Sequence, residues 1–165
     1  MENNELDEIE RRLWKDAGAP QPADKPQIVE IYKVCHEGAW RISDRRSGAN
    51  TFFLAFHTAV LGALGALYKE IGDQFVLIAF FSLAAFMCAV WYVLLGYYRS
   101  LNSAKYKVIG AIERRLVASP FWRAEWDALD YGKNPKIYRS LAWVESGVPI
   151  AFAIVYVALA IKAVC

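Results

Sequence analysis

Three stretches of the chain are almost free of charge, Thr51 to Tyr68, Phe75 to Tyr98 and Leu141 to Ile161, while charged residues crowd into positions 1–50 and 99–140. A hydrocarbon core of about 30 Å needs about 20 apolar residues of helix at roughly 1.5 Å per residue, and each stretch approaches or meets that length. Backbone N–H and C=O groups find no water in lipid, so an open chain crosses it as helix. The pattern predicts an all-α integral membrane protein with three transmembrane helices. The KEIGDQ connection between the first two is so short that they must form a tight antiparallel hairpin.

The flanking segments also carry helical periodicity. Residues 6–16 place Leu6, Ile9 and Leu13 on one face and charges around the rest, which reads as a short amphipathic helix. Pro20, Pro22 and Pro26 then break the chain. From Ile28 the positions Ile31, Tyr32, Cys35, Ala39 and Ile42 continue at helical spacing, and no proline intervenes before Tyr68, so one long helix is expected, bent near Gly48. Beyond the second span, Leu101, Ala104, Val108, Ile109, Ile112 and Leu116 extend that helix by about 25–30 Å. Ser119-Pro120 reads as the cap and first turn of a further helix, PFWRAEWDAL, stopped at Gly132, and Asn134-Pro135 leads into the third span.

Charge placement adds an orientation. Segment 99–140 holds the nine cations Arg99, Lys105, Lys107, Arg114, Arg115, Arg123, Lys133, Lys136 and Arg139 against the four acids Glu113, Glu125, Asp127 and Asp130. Arg41, Arg45 and Arg46 precede the first span, whereas the hairpin loop and the C-terminal end carry one lysine each. Lys and Arg resist translocation, which puts the N-terminus and 99–140 in the cytoplasm and the C-terminus in the periplasm. Trp40, Trp91, Tyr92, Tyr97, Tyr98 and Trp143 collect toward the inner interface as an aromatic belt. The expected organisation is a cytoplasmic helix and Pro-rich linker (1–27), a cytoplasmic helix running into the hairpin (28–98, spans 51–68 and 75–98), a cytoplasmic helical segment (99–140) and the third span with the C-terminus (141–165).

Composition agrees: 56% of residues are hydrophobic and 15% aromatic, yet 22% are charged. The acidic start MENNELDEIERRLW is unlike a signal peptide, the terminal AVC is unlike a prenylation box, and Cys35, Cys88 and Cys165 imply no disulfide framework.

Small residues mark helix contacts. Ala55, Ala59, Gly62, Ala63 and Ala66 on the first span, with Ser82, Ala85 and Ala89 on the second, have small-xxx-small spacing. They read either as packing within the hairpin or as contacts between subunits. His57 and Glu145 lie inside spans, where ionisable groups are costly and seek partners, and a contact of Glu145 with His57 or Arg99 is expected, a polar clamp rather than a proton path. Arg41, Arg45, Arg46 and Asn50, with Arg99, Asn102 and Lys105 at the matching depth, form a polar layer at the membrane edge. In a ring of subunits it becomes a ring of cations favouring anions or anionic lipids.

Enzyme signatures are missing from the sequence. His36 and His57 do not combine with cysteines or carboxylates at metal spacing, and there is no phosphate loop or nucleophile elbow. Glu113, Glu125 and Asp127 read as solvated or salt-bridged. No cofactor, metal or nucleic-acid partner is expected; a cationic membrane-proximal face accounts for the basic residues near Trp122 and Trp126.

The stretches IYKVCHEGAWRISDRRSGANTFFL, YYRSLNSAKYKVIGAIERRL, PFWRAEW and IYRSLAWVESGVPIAF, in this order, resemble the RipA-type octameric membrane protein family of small bacterial inner-membrane proteins, over Ile28 to Tyr156. The resemblance implies a three-span homo-octamer with a role in envelope or host-interaction fitness rather than catalysis. Its motif positions fall on Arg41, Ser43, Arg45, Arg46, Asn50 and Phe53; on Tyr98, Arg99, Leu101, Asn102 and Lys105; on Pro120, Phe121, Glu125 and Trp126; and on Glu145 and Pro149. Trp40 departs from the pattern, standing where an acidic residue is expected. The Arg-Arg and Asn before the first span are also similar, more loosely, to two-span SLATT effectors of bacterial conflict systems, which lack the third span. Three functions follow as expectations: a channel-like or pore-forming homo-oligomer that contacts itself and membrane lipids, a non-conducting scaffold for a cytoplasmic protein partner, or a membrane effector in anti-phage conflict gated by a nucleotide near Arg114, Arg115 or Arg123.

Overall fold

A computed structural model describes residues 2–14, 25–67, 70, 71, 73–129 and 141–164. The expected breaks at Pro20, Pro22, Gly132 and Asn134-Pro135 lie outside the described residues, as does Cys165. The elements are α1 (Glu2–Leu13), α2 (Lys25–Leu67), α3 (Gln74–Glu113), a π-helical turn (Pro120–Glu125) continued by α4 (Trp126–Ala128), and α5 (Leu141–Val164). Among the described residues there is no strand.

Local chemistry explains several ends. Pro26 sits in the first turn of α2, where its missing N–H costs no hydrogen bond. Asp73 begins α3 by accepting a hydrogen bond from the Phe75 N–H at 2.8 Å. At 43 and 40 residues, α2 and α3 are about 65 and 60 Å long, roughly twice the hydrocarbon thickness. With α5 they are, among the described residues, the three helices long and apolar enough to cross a membrane.

The chain divides into two compact units, Met1–Asp44 with Arg99–Ser140, and Arg45–Tyr98 with Leu141–Cys165. The second unit holds the apolar helix segments. Its core has one cluster of Leu64, Leu77, Phe81, Ala84, Cys88 and Tyr156 and another of Phe53, Trp91 and Leu95, against which Val148 and Phe152 pack. The end of α2 thus meets the start of α3, as an antiparallel hairpin requires. The Gln74 side-chain amide donates to the Ala163 carbonyl, joining the start of α3 to the end of α5.

The first unit has a different cement. Ile28, Ala39, Ile42, Ile109, Ala111 and Ile112 are buried, as is Leu6 of α1. Gly110 is required here: a Cβ on it would lie 2.6 Å from the Trp122 ring, so only glycine lets the indole rest on α3.

Candidate functional site

The polar residues at the edges of the apolar segments are divided between the two units. Arg41, Arg99, Asn102 and Lys105 fall in the first unit; Arg45, Arg46 and Asn50 fall in the second. Arg41 is exposed and pairs with Glu37 one turn earlier at 3.7 Å. Lys105 lies over Gly38, where a Cβ would come within 3.1 Å of its ammonium. Arg45 is exposed, and the side-chain carbonyls of Asn50 and Asn102 are buried with no hydrogen-bond partner among the described residues.

The two intramembrane ionisable residues take different partners from those expected. Glu145 pairs with Arg46 at 3.8 Å, both largely buried. It stands four residues before Pro149, which lacks the N–H that would otherwise bond the Glu145 carbonyl. His57 is fully buried, and its Nδ1 lies 3.1 Å from the Tyr156 hydroxyl, which also approaches the His57 carbonyl at 3.4 Å. Cys88 Sγ is 3.6 Å from Nε2. Phe53, Trp91 and Phe152 close the ring in, with Trp91 stacked at 5.8 Å. This is a polar clamp joining α2 to α5 inside an aromatic box. The sequence reading expected a clamp of Glu145 with His57 or Arg99 and missed Tyr156 and Cys88, which look like ordinary span residues in isolation.

The small-residue stripe does not form the seam within the hairpin. Ala55, Ala59, Gly62, Ala63 and Ala66 are exposed, as are Ser82 and Ala89, and only Ala85 packs partly against the core. The reason is geometric. Phe53, His57 and Leu64 fill the face toward α3 and α5, so the small residues turn outward.

The most constructed polar site belongs to Glu113, which was expected to be solvated or salt-bridged and is 1% exposed. Its Oε1 accepts from the Tyr32 hydroxyl at 3.0 Å and the Phe121 N–H at 3.2 Å. Its Oε2 accepts from the Ser119 hydroxyl at 2.7 Å and the Trp122 N–H at 2.9 Å. The expected Ser119 cap is therefore absent: its hydroxyl serves Glu113, and Glu113 takes the N–H groups at the start of the following turn. That turn is π-helical rather than α, with Ala124 N–H bonded to the Ser119 carbonyl at 3.1 Å. Burial and the Glu113 carboxylate together hold the Tyr32 phenol well above its ordinary value. Phe121 stacks on His36 at 4.6 Å, Trp126 is half-buried, and Pro120 and Glu125 are exposed. Glu125 also acts at a distance, adding to the burial that raises the Tyr106 phenol.

This elbow borders an open hollow of about 780 Å³ lined by Glu113, Arg114, Ser119, Trp122, Arg123 and Trp126 among others. Nearby, Arg114 and Arg115 bind Asp7 and Glu10 of α1. Among the described residues no group of three or more His, Cys, Asp or Glu could hold a metal ion.

Long apolar helices whose outward faces are uncovered, with His57 and Glu145 of the apolar segments held in internal contacts, define a polytopic helical membrane protein. The model of the octameric membrane protein family (8xMP) matches residues 29–165, and the chain belongs to that family. No curated protein and no solved structure matches it. Membership agrees with a membrane location and with self-association.

Proposed function

We propose that the chain is a non-enzymatic subunit of a homo-octameric assembly in the bacterial inner membrane, channel-like, with a cationic cytoplasmic mouth. The observation that carries this reading is the outward-facing stripe Ala55, Ala59, Gly62, Ala63 and Ala66. Lipid tails require no small residues, whereas close approach of a second helix does. The basic segment 99–140 and the arginines before α2 enters the bilayer favour a cytoplasmic N-terminus and a periplasmic C-terminus. Exposed Arg41 and Arg45, repeated around a ring, would favour anions over cations at the mouth.

Single-particle images of the protein in nanodiscs should show rings of eight, and liposomes carrying it should pass chloride faster than potassium. Particles of one or two subunits would overturn the assembly. Rings that pass no ion at any voltage would overturn conduction and favour a second reading, a non-conducting scaffold. That reading draws on the hollow lined by Trp122 and Trp126, a shaped surface of the kind that recruits a partner. No observation favours the conflict-effector reading.

A further inference from the structure

α1 precedes the family-matched residues 29–165, yet it is seated on two arginines inside them. Arg114 Nη1 donates to Asp7 Oδ1 at 2.5 Å and to Glu10 Oε2 at 3.4 Å, and Arg115 Nε donates to Glu10 Oε1 at 3.3 Å. The Arg115 guanidinium also lies 4.4 Å above the Trp14 ring, a cation–π contact. Leu6 is buried and Ile9 and Leu13 half-buried, so the apolar stripe of α1 faces protein. A helix of 12 residues is marginal in water by itself, so α1 depends on this seat to stay helical. Residues 15–24, KDAGAPQPAD, have the composition of a spacer.

We propose that the Arg114–Arg115 face is a receptor for an acidic amphipathic helix of a partner protein, and that α1 fills it in cis as a built-in competitor. The occupant defines the chemistry: acids at Asp7 and Glu10 beside apolar residues at Leu6, Ile9 and Leu13, three or four apart on one helix face. The Asp7 edge of the seat is open, its side chain 57% exposed, and an exposed ion pair there contributes little; Glu10 and Arg115, 25% and 14% exposed, form the firmer part. Arg114 also lines the adjacent hollow, so a partner helix seated on this face lies beside Trp122 and Trp126. Tethering raises the local concentration of α1 and weakens the apparent affinity of any rival. None of this depends on whether the assembly conducts.

The test uses a fluorescent peptide of residues 2–14 as the model partner helix, titrated against nanodisc-embedded protein and read by anisotropy. Three chains are compared: the intact protein, one lacking residues 2–14, and a full-length Asp7→Lys/Glu10→Lys variant whose α1 cannot seat. The peptide should bind both altered chains at least about ten-fold more tightly than the intact protein, more weakly as salt is raised, and not at all once Arg114→Glu and Arg115→Glu are added to the shortened chain. Equal binding to all three chains overturns the proposal, as does no binding to any. A peptide with Asp7→Asn and Glu10→Gln that binds equally well, or full displacement by millimolar inorganic phosphate, would make this a plain apolar or anion site and overturn the helix receptor.

Discussion

Replacing Glu113 tests whether one carboxylate holds the elbow onto α3. It lies at the end of α3, where the helix dipole disfavours an anion, and it is almost fully buried. Its stability must come from its four donors: the hydroxyls of Tyr32 and Ser119 and the N–H groups of Phe121 and Trp122. Each oxygen accepts one hydroxyl and one backbone N–H. In Glu113→Gln, whichever way the amide turns, its NH2 faces a backbone N–H that cannot reverse its role, while the hydroxyl opposite can rotate to accept. One buried N–H is left unsatisfied, at a cost of about 2 kcal/mol. Glu113→Ala strands both N–H groups and opens a void, at a cost of about 3–5 kcal/mol.

Hydrogen exchange resolves these effects by position. Protection of the Phe121 and Trp122 amides should fall about 30-fold in the glutamine variant, since about 1.4 kcal/mol corresponds to ten-fold. It should vanish across residues 116–127 in the alanine variant, while amides of the Phe53–Trp91 cluster keep theirs. Unchanged protection at Trp122 in Glu113→Ala would refute the reasoning.

Three further substitutions probe other contacts. Gly110→Ala places a Cβ 2.6 Å from the Trp122 ring and should cost about 1–3 kcal/mol, whereas Gly38→Ala meets only the mobile Lys105 ammonium at 3.1 Å and should cost less than about 0.5 kcal/mol; exchange protection of the Trp122 amide distinguishes them. The Tyr32 phenol is held above its ordinary 10.0, so its contribution is complete below that pH and is lost as pH rises through its folded value. Near-ultraviolet dichroism on an alkaline titration should show this loss in the wild type and less of it in Tyr32→Phe. Gly62→Leu should leave the subunit folded, because a Cβ there meets nothing within 4 Å, yet should break rings into smaller particles on sizing; intact octamers would remove this stripe from the interface.

What was legible in the sequence follows from what is local. The three spans are written in consecutive residues, and the helices cover 25–67, 74–113 and 141–164 where hydropathy and the scarcity of proline imply them. The clamps are written in residues far apart. Glu113 meets Tyr32 across 81 positions, and His57 meets Tyr156 across 99, distances over which periodicity carries no information. Ser119 is an instructive case: Ser before Pro has the local form of a cap, but a buried carboxylate competes for the same N–H groups and prevails because a charged acceptor binds them more strongly. The pairing of Glu145 with Arg46 was hidden for another reason. Arg46 reads as one of a run of membrane-edge cations, and only its inward face in the fold singles it out from exposed Arg45.

The division of labour between large and small residues bears directly on assembly. Small-xxx-small spacing permits close helix approach without saying which helix approaches. Within the subunit the question is answered by volume: Phe53, Phe81, Trp91, Phe152 and Tyr156 fill the space between α2, α3 and α5, and the His57 clamp fixes their register. Helices held apart by aromatic side chains cannot also use Ala59 or Gly62 against one another. If these small residues serve packing at all, the helix they meet belongs to another subunit. The clamp sharpens the consequence for conduction. His57 is satisfied inside its own subunit and Glu145 is neutralised by Arg46, so neither offers a free charge to an axial path. On the proposed channel reading, selectivity falls to the exposed arginines at the edge, which is why chloride over potassium, rather than proton flux, is the measurement that discriminates.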